Sequence, residues 1–156
     1  MENMKQFITV DTGERRVPIQ DIDGNEIGAF SFHPTDIGII TRYNDMVNEF
    51  GAITEPLEAV WGDENATEES IAEALKAAEN RLYGAVDKLF NAEGAAQAFF
   101  GKMNPFSPVN GYFYCEAVLQ SVGQFIGQQF DQETAKFSAR VEKYTNRAQR
   151  RKAAKK

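Results

Sequence analysis

One apolar stripe constrains the fold of this chain more than any other feature. Ile71, Leu75, Ala78, Leu82, Val86 and the pair Leu89 and Phe90 follow one another at helical steps, which places them on one face of an α-helix. Thr67 stands before the stripe as an N-cap. Glu68 and Glu69 fall in the first turn, where carboxylates favour the helix dipole, and Gly94 closes the segment. A second helix is predicted over residues 37–50. It is capped by Thr35 or Asp36, carries Ile37, Ile40, Tyr43, Val47 and Phe50 on one side, and stops at Gly51. A looser stretch with Pro56, Trp61 and Gly62 separates the two.

The first third has a different period. Phe7, Ile8, Thr9 and Val10 have strand composition and stop at the turn residues Asp11, Thr12 and Gly13. Residues 15–22 form a second candidate strand, with Pro18 favouring an edge position. After the turn at Asp23, Gly24 and Asn25, residues 26–32 form a third, with Phe30 and Phe32 on one face. The expectation is a three-stranded antiparallel meander. After the central helix, residues 95–100 read as a short helix ending at Gly101. Pro105 and Pro108 interrupt the chain, and a last long helix is expected from a Ser107 cap, with Pro108 in its first turn. Its stripe is Tyr112, Cys115, Val118, Leu119, Val122, Phe125 and Ile126, continued more weakly by Phe130, Phe137, Val141 and Tyr144. The fold class is therefore α+β: a small N-terminal antiparallel β-meander followed by a helical bundle. With 156 residues the chain suits one such domain, residues 1–144, and a flexible basic tail, residues 145–156.

Charge divides the chain unevenly. From Lys136 onward there are nine basic residues against the single acid Glu142, which leaves eight of the 17 bases and twenty-two of the 23 acids in residues 1–135. The body carries −14 and the remainder +8. Such a body repels nucleic acid, so phosphate contact would fall to the tail alone, and the tail also lacks interleaved aromatics. Tail folded on body and tail bound to a partner are equally compatible with this pattern.

Catalytic chemistry finds little support. Cys115 and His33 are the only cysteine and histidine, so two-imidazole metal centres and thiolate clusters are excluded. His33 reads as a loop histidine bonded to nearby backbone, and Cys115 as a buried hydrophobe on its helix stripe. The run Asp21, Ile22, Asp23, Gly24, Asn25 opens like a calcium loop, but Glu26 and Phe32 occupy the positions that need glycine and glutamate. No cofactor, metal or catalytic set is expected. The aromatics around the proline break, Phe99, Phe100, Phe106, Tyr112, Phe113 and Phe125, are the candidates for a partner-binding surface.

The order of parts resembles a known family. The strand-to-helix junction Phe30, Ser31, Phe32, His33, Pro34, Thr35, Asp36 is followed by a helix ending in Leu89, Phe90, Asn91, Ala92, Glu93, Gly94. Then come Ala98, Phe99, Phe100, Gly101, Lys102, a proline-broken loop and a final long helix. Over roughly residues 5 to 130 this resembles the tail assembly chaperones of long-tailed bacteriophages, of the type found in siphophages infecting Gram-positive bacteria. The resemblance implies a non-enzymatic protein of the host cytoplasm, left out of the mature virion. It would bind the tape measure protein, keep it soluble and help tail-tube protein polymerise around it. No membrane partner is implied, and self-association into a homo-oligomer stays open. The alternatives are a virion structural protein, such as a minor tail or head-tail joining component, and a nucleic-acid-binding regulator that uses the basic tail. Genes of this kind often yield a longer product by frameshifting, in which residues 145–156 would be a tether.

Overall fold

The computed structural model describes residues 6–154, with side chains through Glu142. Strands β1 (Arg15–Gln20) and β2 (Glu26–Phe32) are followed by helices α1 (Gly38–Trp61), α2 (Glu68–Phe90) and α3 (Ala95–Phe100). A two-residue hairpin, β3 (Pro108–Val109) and β4 (Tyr112–Phe113), then leads into the long helix α4 (Tyr114–Ala154). The α+β architecture holds: a small antiparallel sheet at the N-terminus precedes the helices.

The sheet has two strands where three were expected. β1 and β2 pair in register from Arg15 opposite Phe32 to Ile19 opposite Gly28, with an irregularity at Ile19 and Gln20. Phe7, Ile8 and Val10 are 80%, 95% and 68% exposed and lie in no strand. Strand composition needs a partner edge, and Pro18 removes one backbone donor from the strand that would have to accept this segment. The β1–β2 turn uses the carboxylate that opened the calcium-like run. Asp21 Oδ1 accepts from the amides of Asp23 and Asn25, both at 2.9 Å, and these bonds hold the acid below the usual carboxylate range.

Helix α1 does not stop at Gly51. It runs to Trp61 through both Gly51 and Pro56, and its buried face is Ile39, Met46, Ile53 and Leu57, with Tyr43 and Phe50 half-buried. Ile37, Ile40 and Val47 face solvent, so the predicted stripe was out of phase. Ile53 and Leu57, beyond the expected end, set the phase that packs on α2. Pro56 lacks the amide that would bond Ala52, and the Arg81 guanidinium of α2 reaches that carbonyl at 3.5 Å while pairing with Glu49 at 3.2 Å.

Helix α2 begins as expected. Thr67 and Ser70 form a reciprocal capping box. It ends at Phe90 on Asn91, a left-handed C-cap with φ of 50°, three residues before Gly94. Gly94 instead precedes α3 at φ 85°.

The last helix begins later than expected. Asn110 (φ 54°) and Gly111 (φ 85°) form a tight turn that two successive positive φ angles allow. Ser107 and Pro108 therefore belong to the approach to a hairpin, not to a helix cap. From Tyr114 the stripe Cys115, Val118, Leu119, Val122 and Ile126 is buried as predicted. Beyond Phe130 every residue through Glu142 is exposed, and the main chain stays helical to Ala154. The side chains of the basic tail lie outside the described residues.

Candidate functional site

The six aromatics singled out from the sequence do not form one surface. Phe100 and Phe106 are core residues, 4% and 3% exposed, so they are withdrawn from any partner. Tyr112 is 64% exposed, and Phe113 is half-buried on the hairpin between Phe106 and Trp61, with ring centroids at 5.5 and 5.7 Å. Phe99 and Phe125 lie elsewhere, on two walls of an apolar cleft.

That cleft lies between the β1–β2 sheet, the end of α2, helix α3 and the middle of α4. Its volume is about 150 Å³. Phe32, Phe90 and Val122 form its buried floor. Phe30, Phe99 and Phe125 are half-buried walls, and Val17, Pro18, Ile19 and Ser121 complete the rim. The rings contact one another: Phe30 stacks on Phe32 at 5.0 Å and meets Phe90 edge-on at 4.8 Å. Phe99 stacks on Phe90 at 5.8 Å, and Phe125 lies 6.2 Å from Phe32. Contacts of this kind add to the area burial that fixes each ring. The Ser121 hydroxyl is the only polar side-chain group among the lining residues.

Helix α3 is too short to hold itself, and neighbouring side chains fix it at both ends. Asp87 Oδ1 accepts from the Ala96 amide at 2.8 Å. At the other end Tyr114 donates to the Phe99 carbonyl at 3.0 Å and Tyr83 to the Phe100 carbonyl at 3.3 Å. Burial pushes both phenols up from their ordinary values, which keeps them neutral donors. Beneath α3, a Cβ on Gly28 would lie 2.3 Å from the Ala98 carbonyl oxygen, so glycine is what lets β2 approach. These contacts set the Phe99 ring against Phe30.

The cleft escaped sequence reasoning because its rings come from four separate elements. The one local signal was Phe30 and Phe32 sharing a strand face. The two residues with chemistry of their own lie outside it. His33 is exposed, with Nε2 at 3.3 Å from Thr12 Oγ1 and not on backbone. Cys115 is fully buried, and its thiol is pushed up to about 12 by that burial, with Glu116 adding to the effect. Among the described residues, no helix is long and apolar enough to cross a membrane. Compared with protein-family models, curated proteins and solved structures, the chain matches none.

Proposed function

We propose that this chain is a tail assembly chaperone of the long-tailed bacteriophage type. It acts by binding and not by catalysis, in the host cytoplasm, and does not remain in the mature virion. Its client is the tape measure protein, whose apolar helical segments it keeps soluble while tail-tube protein assembles. The observation that carries this reading is the cleft bounded by Phe30, Phe99 and Phe125, which presents aromatic and aliphatic surface with no ionisable group. Its 150 Å³ falls below the roughly 300 Å³ at which small-molecule sites begin, while a dry cavity of about that size takes a benzene-sized group. That fits one large apolar side chain presented by a partner helix, the helix-in-groove mode of recognition. The acidic body around it keeps a chaperone–client complex dispersed.

The test is co-expression with a tape measure protein and recovery of soluble client. Phe125→Gln and Ile19→Gln leave the buried floor of the cleft in place and should lower client recovery severalfold. Each variant should still melt cooperatively above the expression temperature, Phe125→Gln somewhat earlier than the parent because the Phe125 ring packs on Phe32. Phe106→Ala is unsuitable, because Phe106 belongs to the core. Unchanged recovery in both cleft variants would remove the cleft from the reading. Failure of the parent chain to recover any client would remove the chaperone reading itself.

A further inference from the structure

We propose that two copies of this chain associate, antiparallel, through the part of α4 that extends past the body. From Asp131 to Ala154 the helix rises about 36 Å at 1.5 Å per residue, and every described side chain along it is exposed. Most helical stability in proteins comes from burying an apolar face, and the described side chains past Phe130 bury none. The segment nonetheless carries large apolar groups. Phe137 is 59% and Val141 46% exposed, and Phe130 lies half-buried at the base. Arg140 lies over one face of the Phe137 ring at 4.6 Å, which leaves the rest of that ring to solvent. In the sequence Phe130, Phe137 and Tyr144 are seven apart, and Thr134 and Val141 interleave with them at the same interval. That is the a/d spacing of a two-helix seam.

Charge selects the occupant and its direction. Residues 143–156 contain seven bases and no acid, against a body of −14. The main chain of α4 is one continuous helix to Ala154, so the basic end is carried on a helix and not on a coil. A second copy brings an acidic body of its own. Parallel pairing would run two such basic ends side by side within a Debye length. Antiparallel pairing instead brings each toward Asp131, Glu133 and the acidic body of the other copy. Centred on Ala139, it sets Phe137 against Val141 and Thr134 against Tyr144 of the second copy.

Sedimentation equilibrium of the full chain should give twice the 17.5 kDa chain mass, with weaker association at high salt. Phe137→Glu should raise the dissociation constant about tenfold or more, since it places a charge in the seam, and leave the melt of the body unchanged. Single-cysteine variants Thr134→Cys and Tyr144→Cys, mixed and oxidised, should form the mixed disulfide; Cys115 is fully buried and does not compete. A monomer at every concentration overturns the proposal, as does a dimer indifferent to Phe137→Glu. Homodisulfides without the mixed product overturn the antiparallel arrangement. Association that appears only with an added apolar helix or with DNA assigns the stripe to that partner instead.

Discussion

Tyr43 on α1 and Gly123 on α4 are fitted to each other. The phenol of Tyr43 donates to the Leu119 carbonyl at 3.0 Å, and it passes so close to Gly123 that a Cβ there would lie 2.5 Å from the oxygen. The hydroxyl thus bonds one turn of α4 through a gap that only glycine leaves.

Gly123→Ala should therefore fail to stabilise α4, although alanine in a helix interior is worth up to about 1 kcal/mol over glycine. Displacing the phenol forfeits a hydrogen bond worth about 1 kcal/mol and disturbs the packing around it. Gly127→Ala, one turn on with nothing within 4 Å of the new methyl, should show the full gain of about 1 kcal/mol. Urea titration of the two variants separates them.

Pro56 leaves the Ala52 carbonyl without its helical donor, and Arg81 answers it. Pro56→Ala is expected to stabilise the protein by about 1–3 kcal/mol, since the proline is exposed and the lost bond is restored. Arg81→Met in the parent should cost less than about 1 kcal/mol, because its ion pair with Glu49 is solvent-exposed. It should cost less again beside Pro56→Ala, a coupling that a double-mutant cycle measures.

Cys115 should be inert toward a thiol reagent at pH 8. Burial closes access and pushes its thiol up to about 12, so the thiolate fraction is on the order of 10⁻⁴. Labelling should follow the opening of the α4 core and become fast in denaturant. Rapid labelling of the native chain would contradict the packing of this helix.

Asp11 holds the start of the hairpin. The Arg15 guanidinium bonded to it, then the Gly13 amide, lower its carboxyl from 3.8 to about 2. Because the folded value lies below that of the unfolded chain, its contribution is complete above about pH 4–5 and is lost as the pH falls toward 2. Proteolysis between residues 6 and 14 by an acid protease should accelerate across that window. Asp11→Asn should be cleaved fast across the same window, and the ratio of the two rates cancels the pH dependence of the protease itself.

Leu82 and Phe7 show how far local pattern reaches. Leu82 was expected on the buried face of α2 and is fully buried. That face, the Thr67 cap and the extent of α3 follow from spacing and capping within a few residues, where backbone preference and periodicity suffice. Phe7 carries equally clear strand composition and is 80% exposed, because a strand exists only where an edge is free to receive it. The Asn110–Gly111 turn is legible in principle, but the Ser107–Pro108 helix-start signal places it inside the long helix. The phase of α1 differs from its predicted stripe because the residues that set it, Ile53 and Leu57, lie past Gly51, a glycine that the helix tolerates.

By itself the sequence determined the α+β class, the helical faces of α2 and α4, and the split between an acidic body and a basic end. Only the tertiary structure decided which aromatics are available. Phe100 and Phe106 went to the core, while Phe30, Phe99 and Phe125, up to 95 positions apart, came together as walls of one cleft. Composition gives each ring the same tendency to leave water. Whether it finds a closed core or an open cleft depends on how four elements approach one another, and here that approach is set by Gly28 against Ala98 and by the side chains holding the two ends of α3.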